Sequence, residues 1–199
     1  MTFFVGRCRV TIGFPFLAVT ALLLTLDRSG MAAVCLFCAA IHETAHLAAM
    51  AATGGIPTEI RFTPFGIDIV KDVNSGRGYR RDIWISLAGP LANLVSAALA
   101  FALFRLQFRN FIFASLALSC FNALPVAPLD GGQALYAFLC LRTDPACAEK
   151  TVSIVSFLTL APIAAAGFFI LIRSRWNFSL LFVCCYLTAL LLLKKDGQF

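Results

Sequence analysis

The sequence predicts an all-α membrane protein of six transmembrane helices, with a membrane-associated β-hairpin between the second and the third. Of the 199 residues, 60% are hydrophobic and 13% charged. The mean hydropathy of +0.88 is far above that of a soluble domain of this length. Six largely charge-free stretches, at residues 10–26, 31–53, 83–104, 110–129, 151–172 and 176–193, have the length needed to cross a hydrocarbon core of roughly 30 Å. A single long polar interval, residues 53–82, separates the second from the third, and its pattern is that of strands.

The first stretch follows Arg7 and Arg9 and ends in Leu26-Asp27-Arg28 without a small-residue cleavage site, so it reads as a retained helix rather than a signal peptide. The second carries Ile41-His42-Glu43-Thr44-Ala45-His46-Leu47 inside an otherwise apolar run. In the polar interval, Glu59 to Thr63 and Ile67 to Lys71 alternate or are β-branched, with Pro64-Phe65-Gly66 between them as a turn signal. A hairpin in such a chain must satisfy its backbone in protein or water, so it is expected to cover a cavity or lie at the cytoplasmic surface. In the third stretch, Gly89-Pro90 and the small residues Ala92, Ser96, Ala97 and Ala98 suit close helix packing, and Asn93 can hydrogen-bond across helices. The fourth ends in Asn122-Ala123-Leu124-Pro125-Val126-Ala127-Pro128-Leu129-Asp130-Gly131-Gly132, where two prolines bend or unwind the helix and two glycines let the backbone turn closely. The last two stretches are informative only in being hydrophobic. One membrane domain is expected over residues 1–199, with no C-terminal regulatory domain after Lys194 to Phe199.

With the amino terminus in the cytoplasm, that side receives 11 of the 16 basic residues and the other side only Arg28, Arg105, Arg109, Arg173 and Arg175. The bias places both termini in the cytoplasm and accounts for the net charge of +6. No basic run interleaved with aromatics is present, so nucleic acid is not an expected partner. The eight cysteines lie mostly in apolar segments, where free Cys acts as a small hydrophobe, and no disulfide framework is implied.

His42 and His46 are the only histidines in the chain. Four residues apart on a helix, they are separated by roughly 6 Å of rise and share a face, so both imidazoles can reach one metal ion. Glu43 is turned away by about 100°. It is poorly placed as a third ligand and well placed to take a proton from a metal-bound water. Imidazoles and a carboxylate at membrane depth are costly unless paired, hydrated or metal-bound, and zinc removes much of that penalty. A zinc site that does chemistry needs a third protein ligand and an open position. Asp130 is the strongest candidate because the broken helix end can direct it back toward the second stretch, and Asp68 is the substitute. Cys35 and Cys38 precede His42 on a similar face and are read as packing residues. Because the histidines lie in the later half of a helix running inward, the site is expected to open toward the cytoplasm.

These residues resemble the site-2 protease family of intramembrane zinc metalloproteases. The likeness is carried by H-E-x-x-H at 42–46, by Asn122-x-x-Pro125-x-x-Pro128-Leu-Asp130-Gly-Gly, by Pro64-Phe65-Gly66 and by Ala88-Gly89-Pro90-Leu91-Ala92-Asn93, over about residues 31–140. Among subfamilies the compact layout looks like that of the sporulation stage IV factor B proteases, which cleave a membrane-associated sigma-factor precursor. The resemblance implies one Zn2+ held by His42, His46 and Asp130, Glu43 as general base, and Asn122 orienting the substrate or steadying the oxyanion. It implies a membrane-associated protein substrate and inhibitory membrane proteins as partners. Two other function classes share some of these features. A transporter also has broken helices and buried acids, but not the H-E-x-x-H spacing. A catalytically silent scaffold has no use for Glu43 between intact ligands.

Overall fold

The computed structural model describes residues 2–5, 8–54, 57–63, 66–71, 78–174 and 179–193. Its elements in chain order are β1 (Thr2–Val5), β2 (Cys8–Ile12), α1 (Phe14–Leu26), α2 (Met31–Ala52), β3 (Pro57–Thr63), β4 (Gly66–Lys71), α3 (Tyr79–Phe104), α4 (Arg109–Asn122), α5 (Asp130–Cys140), α6 (Pro145–Ser174) and α7 (Ser179–Leu193). A short 3-10 turn, Arg105–Phe108, joins α3 to α4. By internal contacts the chain forms two units, one of Met1–Gly78 with Ala88–Ser119 and one of Tyr79–Leu87 with Cys120–Phe199.

The first unit holds a four-stranded sheet in the order β1-β2-β3-β4. The fold is therefore helical with a sheet, not all-α. The expected hairpin is present as β3 and β4, antiparallel from Pro57 opposite Lys71 to Thr63 opposite Gly66. Pro64 and Phe65 of its expected turn lie outside the described residues. The sequence reading missed the amino-terminal hairpin of β1 and β2, in which Thr2 pairs with Thr11 and Val5 with Cys8. β2 also runs parallel to β3, Arg9 opposite Glu59 and Ile12 opposite Phe62. Parallel neighbours need a crossover, and α1 with α2 supplies it. β2 buries Cys8 and Val10 and exposes Arg9, the period-2 alternation of a half-covered strand. Thr11 Oγ1 donates to Glu59 Oε1 at 3.4 Å. Arg61, 2.7 Å from the same carboxylate, holds it below the usual carboxylate range.

α1 starts only at Phe14, with Gly13 as its N-cap and a proline in its first turn. Gly13 N donates to Phe62 O at 3.3 Å, and the Phe16 ring stands 5.4 Å from that of Phe62, so the helix is anchored to β3 at its start. Between α1 and α2, Asp27 accepts hydrogen bonds from Ser29 N at 2.9 Å, from Ser29 Oγ and from Ala32 N at 2.5 Å. The last of these satisfies a donor of the first turn of α2 that no earlier helical carbonyl can reach. Gly30, at φ 74°, makes the left-handed turn into the helix that other residues adopt only with strain.

The stretch Tyr79–Asn122 would extend about 66 Å as one straight helix. Instead it doubles back at Arg105, whose φ of 49° is the one positive value among the described non-glycine residues. Ser119 Oγ donates to Pro90 O at 2.7 Å although 29 residues separate them. α3 and α4 are thus a helical hairpin, with α2 beside it through Cys38 Sγ, 3.2 Å from Ser115 Oγ.

In the second unit the chain leaves helical structure after Asn122 and resumes it at Asp130. Val126 and Leu129 of the intervening segment form a buried cluster with Leu160 of α6 and Leu187 of α7.

Among the described residues, three stretches, Met31–Ala52, Tyr79–Asn122 and Pro145–Arg173, are long and apolar enough to cross a membrane. Many of their large apolar side chains face outward, among them Phe37, Leu103 and Leu158. That is the expected surface of an integral membrane protein. The expectation of six such helices is not met in full. Among the described residues α1 has 13 and α7 has 15. At 1.5 Å per residue these reach about 20 and 22 Å, short of the roughly 30 Å core. The fourth stretch, expected to run to residue 129, stops at Asn122 because Pro125 and Pro128 lack the N–H that would continue it.

Candidate metal centre

α2 places the two histidines. Its buried residues are Cys38, His42, His46 and Met50, a strict four-residue spacing. Each step turns about 40° beyond a full circle, so the four side chains form one slowly winding stripe on the helix. His42 is 4% exposed and His46 7%. Their rings lie edge to face with centroids 4.8 Å apart. Cys38 sits at the start of the stripe as a packing residue bonded to Ser115 and the Phe111 carbonyl, while Cys35 is exposed. All eight cysteines are free.

α3 forms the floor beneath the imidazoles. A Cβ on Gly89 would fall onto His46 Nε2 and within 2.6 Å of His42 Nε2. Glycine at this position is what lets the α3 backbone approach both rings, and it shows that the two Nε2 atoms converge on one spot. One turn on, Asn93 is fully buried with its Nδ2 3.2 Å from His42 Nδ1. Another turn on, Ala97 is buried at 1% exposure. Gly89 and Ala97, two of the residues expected to serve close packing, thus share a face with Asn93, which makes the expected hydrogen bond across helices, and Gly89 and Asn93 both lie against the histidines. The four-residue spacing of the stripe they form, matching the spacing of the histidines, is the signal in the sequence for this contact.

Glu43 follows His42 and is half-buried, turned about 100° from the histidine stripe. Asp130, half-buried, is the first residue of α5, where the unpaired N–H groups and the helix dipole favour a negative charge. The backbone around it is tightly folded. A Cβ on Gly131 would meet Leu124 O at 2.5 Å, and one on Gly132 would meet Ala127 N at 2.7 Å as well as the Val126 carbonyl. Ser156 Oγ accepts the Ala127 N–H at 2.9 Å and donates to Val152 O at 2.7 Å, tying the segment to α6. Asn122 is the last residue of α4 and, like Asp130, is part of the second unit. Asp68 lies on β4 opposite Arg61.

His42 and His46 of the first unit offer two imidazole nitrogens to one spot, and Asp130 of the second unit offers a carboxylate oxygen as a candidate third ligand. The donor set fits zinc. Two imidazole nitrogens and one carboxylate oxygen are zinc ligands, and three protein ligands leave the fourth position open. The space kept clear of any Cβ at Gly89 is on the side of both Nε2 atoms.

No protein-family model matches the chain. Stage IV sporulation protein FB of Bacillus subtilis (strain 168) is 29% identical over 129 residues, covering 61% of this chain. The match spans 45% of that relative's length. A site-2 protease from Methanocaldococcus jannaschii has a similar fold, with a TM-score of 0.64 over all of this chain and 99% of that one, at 16% identity.

Proposed function

We propose that this chain, similar in sequence and fold to the site-2 proteases, hydrolyses a peptide bond in a membrane-associated protein, with one zinc ion held by His42, His46 and Asp130. The observation that supports the reading most is the convergence of two buried imidazoles over a glycine that only a closely approaching helix requires.

Zinc in this position supplies Lewis-acid polarisation of a carbonyl and acidifies a water near neutral pH. The chain supplies the rest. A carboxylate oxygen of Glu43 accepts a proton from the attacking water and returns it to the leaving amine. The water attacks directly, so no covalent acyl-enzyme forms. His42 and His46 act as neutral ligands held by α2, and Asp130 contributes the charge that the start of α5 favours. We assign Asn122 to the substrate, orienting its backbone or steadying the developing oxyanion.

A peptide bond in a helical substrate has its carbonyl engaged by the amide four residues on, so the substrate must be unwound before attack. β3 is paired on both sides, by β2 and β4. The strand edge available to an extended substrate in this hairpin is therefore that of β4, and we assign it that role. Proline within β4 is expected to reduce cleavage while leaving zinc content unchanged. We further propose six membrane crossings with α1, α4 and α7 included, both termini in the cytoplasm and the site opening there, on the distribution of basic residues. A sigma-factor precursor is proposed as the substrate class on the resemblance to the sporulation proteases, and the relative's name speaks only of sporulation. Inhibitory membrane proteins are placed among the partners on the resemblance alone.

The test is co-expression with membrane-associated precursor proteins, comparing the parent with Glu43→Gln and Asp130→Ala and measuring zinc content. Loss of cleavage in both, with zinc retained by Glu43→Gln and lost by Asp130→Ala, is expected. Cleavage that survives Glu43→Gln overturns the mechanism.

A further inference from the structure

Asn93 is completely buried, and its Oδ1 has no hydrogen-bond partner among the described residues. Its Nδ2 stands 3.2 Å from His42 Nδ1. The oxygen and nitrogen of a side-chain amide have nearly the same shape, and the surrounding hydrogen bonds decide which faces which neighbour. With the nitrogen toward His42, the amide donates to Nδ1, and the single proton of the neutral ring is forced onto Nε2. Yet His42 Nε2 is the atom over Gly89, beside His46 Nε2. A protonated nitrogen there has no lone pair for a metal. Turned by half a rotation, Asn93 gives its orphaned oxygen a donor, the His42 Nδ1–H, and frees the Nε2 lone pair.

We propose that Asn93 is a positioning residue of the metal centre, its Oδ1 accepting the His42 Nδ1–H and so fixing the ring in the tautomer whose Nε2 lone pair is presented for ligation. The inference rests on the metal-centre reading above. Asn93 acts through His42. Metal-ligating histidines commonly donate their second ring N–H to an oxygen acceptor, and the acceptor sets both tautomer and ring angle. A neutral amide oxygen does this at membrane depth without the penalty of a second buried carboxylate.

Because the chain has two histidines, 15N-histidine labelling yields two rings, and His46→Gln assigns them. In the metal-free parent in detergent, at a pH where imidazole is neutral, the expected His42 spectrum has a protonated Nδ1 and a lone-pair Nε2. The reverse pattern overturns the inference. In parallel, zinc affinity is measured by chelator competition. Asn93→Asp, which can only accept, is expected to bind within about threefold of the parent, and Asn93→Leu about 10- to 100-fold more weakly. Equal binding by the parent and Asn93→Leu, or an equal loss in both variants, overturns it. If the parent binds no more zinc than His46→Ala, the metal-centre reading fails instead, while the ring spectrum still judges the orientation of Asn93.

Discussion

Replacing Gly89 by alanine adds one methyl group at the closest approach of α3 to the imidazoles. The new Cβ would stand 2.6 Å from His42 Nε2 and 2.7 Å from its Cε1. An unstrained contact is about 3.5 Å, so the ring must retreat by about 0.9 Å, the difference of the two. Retreat from α3 also stretches the 3.2 Å contact between His42 Nδ1 and Asn93 of the same helix. Binding constellations tolerate displacements of about 0.5 Å. Zinc affinity is therefore expected to fall by at least about tenfold, in the range seen when a ligand's support is lost. Overpacking itself costs about 1–3 kcal/mol, so a control is needed. Ala97→Val overpacks the same buried stripe two turns away and is expected to lower stability without lowering zinc affinity. The assay is zinc per protein after chelator competition in detergent, alongside thermal unfolding with and without zinc. Gly89→Ala that binds zinc as tightly as the parent would refute the argument, because it would show slack around both rings.

Ser156→Ala removes the acceptor of the Ala127 N–H and is expected to cost about 1–3 kcal/mol, read as a lower unfolding midpoint. Gly132→Ala drives a methyl group into the Val126 carbonyl and the Ala127 amide. Backbone atoms yield less than a side-chain tip, so the loss should exceed that of Ser156→Ala and appear as a lower yield of monodisperse protein. Ser29 and the Ala32 amide hold the Asp27 carboxyl below its usual range. Its folded pKa is the lower one, so its contribution is fully present above the ordinary carboxylate range and disappears as pH falls through the folded value. Asp27→Ala is accordingly expected to speed amide exchange over residues 27–34 at neutral pH, and to differ little from the parent once the carboxyl is protonated.

The helix carrying His42, Glu43 and His46 was legible because three chemically expensive residues in an apolar run have few uses other than a site. The break before Asp130 was legible because Pro125 and Pro128 each lack the N–H a continuous helix needs, whereas Gly131 and Gly132, read as turn residues, are helical in the first turn of α5. The amino-terminal hairpin was missed for a physical reason. Val10, Thr11 and Ile12 are apolar or β-branched, and a measure of charge-free length counts them as membrane helix although Gly13 and Pro15 mark a later start. The contact of Gly89 with the imidazoles was half legible: the small residue announces close approach, but only packing reveals what approaches.

The parallel pairing of β2 with β3 has a bearing on biosynthesis. Arg9 and its partner Glu59 are 50 residues apart, so at about 5–20 residues per second the ribosome needs about 3–10 s to deliver the second after the first. Throughout that interval one edge of the nascent amino-terminal hairpin lacks its neighbour while two hydrophobic helices emerge behind it. A chaperone or insertion factor that shields this edge has its window of action there, before the crossover closes.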